Sequence, residues 1–222
     1  MNISKLELQT SNLLKCKDFY TKVLDLALLS ESDTSFSVKA GATELVFHQT
    51  EDPSSKPFYH FAFNIPQNMF QEAKAWLQAR VELSKDDGKE EVHSTNWNSH
   101  AVYFDDAVGN ILEFIARHQL NNDANGPFSS EHILNVSEIG LPSEDVLKTV
   151  AELTRQLNLS TFREPSTTFA PVGDEDGLFI VSKFGRVWFM SDKPAHYHPV
   201  RVTFTGTQPK TLTLSRYDFT VV

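Results

Sequence analysis

Asp18-Phe19-Tyr20-Thr21-Lys22-Val23-Leu24-Asp25-Leu26 closes the first helix of the chain and leads into its first run of strands. Leu13, Cys16, Phe19, Tyr20, Val23 and Leu24 recur at the three- and four-residue spacing of a single helical face. Asn12 stands where a side chain can cap the first turn, and Leu6 and Leu8 ahead of it alternate as in a strand. Beyond Leu26 the apolar period drops to two. Strands are expected over 27–31, 35–39 and 43–48, with Gly41 turning the last pair. The order is therefore strand, helix and three strands.

That order recurs. Residues 60–65 read as a strand, Asn68 with Gln71 as a helix cap, and Met69, Phe70, Ala73, Trp76 and Leu77 as a helical stripe. Strands are expected near 80–83, 100–104 and 111–116, with a long polar loop over 85–99 that contains Trp97. Asp105-Asp106-Ala107-Val108-Gly109-Asn110 is the turn into the last of them. A polar, turn-rich linker over 120–129 precedes a third copy. In that copy 136–141 is the strand, and Ser143 caps a helix striped by Val146, Leu147, Val150, Leu153 and Leu157. Strands at 168–172, 177–182 and 186–190 follow. Residues 199–205 open a fourth copy that has strand, not helix, over 211–222.

Two residues stand out against this apolar pattern. His60 opens Tyr59-His60-Phe61-Ala62-Phe63-Asn64-Ile65, and Glu113 sits inside Asn110-Ile111-Leu112-Glu113-Phe114-Ile115-Ala116. An imidazole or a carboxylate is costly to bury without a partner. Two of them converging on one pocket suit a facial metal site or an acid/base pair.

The bulk composition excludes several classes. A net charge of −9 with no basic stripe argues against a nucleic-acid surface; the acidity serves solubility first and would favour a cationic small molecule over an anionic one. The single cysteine, Cys16, allows no internal disulfide and no thiolate zinc cluster, and its place on the helical stripe makes it a core residue. The N-terminus has no apolar stretch of signal-peptide or membrane-spanning length, so a cytoplasmic protein with no membrane partner is expected. His196 and His198 lack an adjacent carboxylate and read as a surface loop.

The paired units, the 18–26 stretch and the Asp-rich turn ahead of Gly109-Asn110-Ile111-Leu112-Glu113 together resemble the vicinal oxygen chelate superfamily. That superfamily includes glyoxalase I, extradiol ring-cleaving dioxygenases, and the fosfomycin and bleomycin resistance proteins. Its usual form carries Gly where this chain has Asp25. The resemblance covers 1–119 as a two-unit domain and, more weakly, 130–222 as a third unit with a degenerate fourth. It implies an α+β fold in which βαβββ units curl a mostly antiparallel sheet into a cup, two units to the N-terminal domain.

The resemblance further implies a metal inside the cup, held by the first and last strands of each unit. On this chain those positions are Lys5, Glu44, His60 and Glu113, the last two also being the expected catalytic pair. An ammonium at Lys5 would repel a divalent metal. Lys5 then either bridges Glu113 and Glu44 in the metal's place, or Glu7, on the same strand face, supplies a carboxylate instead. His60, Glu113 and Glu44 or Glu7 would suit Fe(II), Mn(II) or Zn(II). Gln9 and Asn64 would line the pocket, with His48 and His100 as reserve ligands. Glu138 falls near the opening-strand position of the third unit, where 178–181 supplies no carboxylate.

Two functions follow from the resemblance. One is a metal-dependent dioxygenase or glyoxalase-type lyase acting on a small molecule with vicinal oxygens. The other is a metal-free protein that sequesters a ligand, as in the bleomycin-resistance branch, with Lys5 in the ligand position. Homodimerisation is common for two-unit domains, and the third unit could instead satisfy that surface within one chain.

Overall fold

The computed structural model describes residues 1–222. The first unit consists of β1 (Ile3–Thr10), α1 (Leu13–Asp18) continued by a π-helical turn over Phe19–Val23, β2 (Ala27–Glu31), β3 (Ser35–Ala40) and β4 (Thr43–Gln49). The second has β5 (His60–Ile65), α2 (Phe70–Gln78), β6 (Glu91–Ser94), β7 (Ser99–Asp105) and β8 (Ile111–Arg117). The third has β9 (Asn135–Ser143), α3 (Val146–Leu157), β10 (Phe169–Asp174) and β11 (Gly177–Lys183). A fourth, without a helix, has β12 (Arg201–Phe204), β13 (Lys210–Leu214) and β14 (Tyr217–Val221).

Local chemistry accounts for the first helix. Asn12 Oδ1 accepts the Lys15 amide at 3.0 Å, as expected for its cap. Asp25 adopts φ +54°, a left-handed conformation that glycine takes without strain. Tyr20, fully buried, donates its hydroxyl to Asp106 Oδ2 at 2.8 Å and so ties the helix to the Asp-rich turn before β8.

Other caps differ from expectation. Asn68 is spent on residue 124, bonding Ala124 through both ends of its amide, and α2 starts at Phe70 without a side-chain cap. Asp145, not Ser143, caps α3 by accepting the Lys148 amide, while Ser143 Oγ accepts the Asp145 amide. Two expected strands are absent. Residues 80–83 make a single bridge through Leu83 to Phe104, and the outer strand forms at Glu91–Ser94 instead. In 186–190 the apolar alternation does not build a sheet, because Trp188 and Phe189 turn onto ring partners, His60 and Tyr103.

The strands form two curled, mixed sheets of seven strands, in the orders β13-β14-β12-β1-β4-β3-β2 and β10-β11-β9-β5-β8-β7-β6. In each sheet the opening strand of a unit runs parallel to that unit's last strand. The opening strands of two units pair antiparallel at the centre: β1 with β12, and β5 with β9. The units are thus combined first with fourth and second with third. The expected partnership of the first two units in one cup is replaced by these pairings, because β9 and β12 occupy the edges that such a cup would join.

Alternation divides each strand between two environments. Phe61, Phe63, Leu112, Phe114, Ile139 and Phe179 enter one large core shared with the helices and with the other sheet. The opposite, concave face of the second sheet carries a separate cluster that includes Ala62, Ile111, Ile115, Tyr103 and Ile180. No helix is long and apolar enough to cross a membrane.

Polar contacts lock the sheets together. Thr43 Oγ1 donates to Ile3 O at 2.6 Å and accepts from Val136 N at 3.0 Å, and the Ala42 amide donates to Leu134 O at 2.8 Å. Gly41, at φ +58°, makes this approach possible: a Cβ there would lie 2.0 Å from Leu134 O. Gly41→Ala is therefore expected to destabilise the fold by about 2 kcal/mol or more, through overpacking against backbone and a strained φ. Urea denaturation should show the lower midpoint.

Candidate metal centre

The centre of the second sheet brings three titratable side chains to one point. His60 opens β5, Glu113 lies on β8 and Glu138 on β9. Ligand-capable atoms of the three all lie within 4.8 Å of one another, and all three residues are buried. The strand registers explain the convergence. Glu113 pairs with Ala62, two residues past His60; Ile180 pairs with Gly140, two residues past Glu138. The antiparallel β5–β9 centre therefore generates four equivalent inward positions: His60, Glu113, Glu138 and Ile180. Three carry donors and the fourth is apolar.

His60 is oriented as a ligand. Its Nδ1 lies 3.2 Å from the Ile111 carbonyl, which can only accept, so Nδ1 carries the proton and Nε2 presents its lone pair to the cup. Burial holds its pKa below the ordinary imidazole value, with the Arg186 charge adding to the effect and Glu138 opposing it. The ring is neutral near pH 7, so its 3.8 Å approach to Glu113 Oε2 is not an ion pair. Glu113 moves the other way: burial, then the Glu138 charge, push its carboxyl well above the usual range, while Arg117 and the Tyr103 phenol restrain it. Two buried carboxylates facing one neutral imidazole form a donor set that a divalent cation would satisfy.

Arg117, completely buried at the end of β8, donates Nη2 to Glu138 Oε1 and Nε to Asn64 Oδ1. Its Nη1 has no partner. Trp188 packs 5.1 Å from the His60 ring, an approach that Gly140 permits, since a Cβ there would sit 2.6 Å from the indole. The cup has a volume of about 370 Å³ and is walled by Trp97, Tyr103, Phe169, Trp188 and Phe189, with Arg186 at its side.

Residues 2–114 match the profile of the Glyoxalase/Bleomycin resistance protein/Dioxygenase superfamily. The chain belongs to that superfamily. No curated protein matches it in sequence. Among solved structures it is similar to a candidate dioxygenase from Bacillus subtilis, with 14% identity, a TM-score of 0.65, and coverage of 100% of this chain and 85% of that one. It is also similar to glyoxalase I from Zea mays, with 11% identity, a TM-score of 0.60, and coverage of 99% and 90%. At these identities the likeness is one of fold.

Within this glyoxalase-superfamily fold the remaining expected site residues lie elsewhere. Lys5, Glu7, Gln9, Glu44 and His48 belong to β1 and β4, in the other sheet. There Lys5 Nζ lies 3.7 Å from Glu44 and 3.9 Å from Glu7, and Glu7 lies 2.9 Å from His48 Nε2. Lys5 does bridge two carboxylates, but they are Glu44 and Glu7; Glu113 is in the second sheet. The cavity beside Glu7 and His48, about 330 Å³, is polar and open, with one hydrophobic residue in its lining. Asn64 also donates Nδ2 to Glu175 O, so it braces Arg117 more than it lines the cup. His100 lies behind the second sheet, stacked on His93 and 2.7 Å from His118 Nε2.

Three site residues stand outside the expected ligand set. Glu138 is marked as an opening-strand residue, but its partners depend on which units pair. Arg117 extends the Glu113, Ile115 face of β8 and is visible as a charge at the end of an apolar strand. Arg186 lies in an irregular segment with no period to read.

Proposed function

We propose that His60, Glu113 and Glu138 hold a divalent metal and that the protein is a metal-dependent enzyme, of dioxygenase or glyoxalase-lyase type, acting on a small molecule with vicinal oxygens. The observation that supports this reading is the convergence of one Nε2-presenting imidazole and two carboxylates at the buried floor of an aromatic cup. A bound ion of this kind supplies a Lewis acid for two neighbouring substrate oxygens. The chain's own contributions are distinct. Trp97, Phe169 and Trp188 exclude water and stack on an apolar guest, and Arg117 holds Glu138 in one orientation. Glu113, with the Tyr103 phenol beside it, would be the second carboxylate ligand of the ion.

The metal-free reading has one observation in its favour: Glu138 already has a cationic partner in Arg117. Lys5 does not contribute to it, because Lys5 lies in the other sheet. Metal analysis separates the two. Protein purified without chelator, or titrated by calorimetry with Mn(II), Zn(II) or Fe(II), is expected to bind about one equivalent per chain at this cluster. Absence of saturable binding by all three ions would leave the sequestering function.

A further inference from the structure

We propose that Arg186 is the anion-binding residue of this cup, and that the natural ligand carries a carboxylate in addition to its pair of neighbouring oxygens. The inference deepens the function proposed above and rests on it for the oxygen pair alone.

Arg186 lines the same cavity as His60, Glu113 and Glu138. Its guanidinium lies 5.2 Å from the Phe169 ring centroid, a cation–π contact that holds it against the wall of the cup. Its backbone is engaged: the amide donates to Lys183 O at 2.9 Å and the carbonyl accepts from Ala195 N at 2.8 Å. Its side chain forms neither a hydrogen bond nor an ion pair with any residue of the chain. The half-buried residue thus presents a rigid fork of free N–H donors to a cup whose walls are apolar and aromatic.

The other charges in the cup do not answer it. Arg117 and Glu138 are paired with each other. Glu113 faces His60 and Glu138 at the floor, where a divalent ion would claim it. Arg186 is then a positive charge at a partly desolvated wall with no counter-ion from the protein. Planar, bidentate recognition of a carboxylate is the interaction for which a guanidinium is shaped. The local field therefore opposes the chain's overall negative charge, and the cationic guest suggested by composition is replaced by an anionic one. A cavity of about 370 Å³ holds a single-ring acid.

The test uses two probes that differ only in the carboxylate: 3,4-dihydroxybenzoate and catechol. Binding is followed by quenching of tryptophan fluorescence, with Trp97 and Trp188 both in the wall, for metal-free and Zn(II)-loaded full-length protein. The acid is expected to bind at least about tenfold more tightly than catechol. In Arg186→Gln that preference should fall below about twofold, and Arg186→Lys should restore part of it. Arg186 makes no side-chain bond to the protein, so the variants should keep the native circular dichroism and melting temperature. Equal affinities for the two probes, no saturable binding of the acid, or a preference that survives in Arg186→Gln would each overturn the proposal. An acid preference in metal-free protein that takes up no Zn(II) would uphold Arg186 and overturn the metal reading alone.

Discussion

Glu138→Gln is expected to weaken divalent-metal binding by more than about 100-fold, as far as His60→Ala or Glu113→Gln, whereas Glu44→Gln and Glu7→Gln should leave it unchanged. The contrast follows from the two sheets. Glu138 places its carboxylate within 4.8 Å of the other two donors, while Glu44 and Glu7 share Lys5 on the first sheet. Gln keeps the length of Glu and can still accept a hydrogen bond from Arg117, so the loss would report the missing charge and not a vacated volume. Calorimetric titration with Mn(II) or Zn(II), on protein shown to be folded by circular dichroism, gives the affinities. Tight binding that survives in Glu138→Gln, or disappears in Glu44→Gln, would move the metal away from the cup of the second sheet.

The contrast also shows where the sequence stops being informative. His60 and Glu113 are legible because each is the polar exception in an apolar strand, and strand alternation forces both onto the face opposite the core. The βαβββ order is legible for the same reason: the period switches between 2 and 3.6 at each boundary. The pairing of units is not. Lys5, His60, Glu138 and the start of β12 all lie on opening strands of their units, and any of these edges could hydrogen-bond to another. The choice of β5 for β9 and of β1 for β12 depends on the packed whole, including the Gly41 approach to Leu134 and the bond from the Tyr59 hydroxyl to Pro199 O at 2.9 Å. Once those pairs form, Glu138 enters the cup and Glu44 leaves it. Residues 186–190 mislead for a related reason. Their alternation is real, but it seats Trp188 beside His60 and Phe189 beside Tyr103 instead of adding a strand.

Arg117→Met is expected to cost about 3–5 kcal/mol of folding stability, the effect of breaking a fully buried ion pair by removing one partner. Arg117 is wholly inaccessible and Glu138 nearly so, and the pair sits in the floor of the second sheet. Removing the guanidinium would leave the Glu138 carboxylate beside Glu113 without its contact ion pair, and would strip Asn64 Oδ1 of the Arg117 Nε bond. The double variant Arg117→Met/Glu138→Leu should recover much of that loss, because neither buried charge is then unpaired and the volume is filled by apolar atoms. Metal adds a second diagnostic. In Arg117→Met the ion becomes the counter-charge in direct contact with both carboxylates, so saturating Mn(II) or Zn(II) should raise the urea midpoint of the single variant by more than that of the parent protein. The double variant should gain little from the ion, since it lacks the Glu138 ligand. Equal stabilisation of the parent, the single variant and the double variant would show that the ion binds outside this cluster.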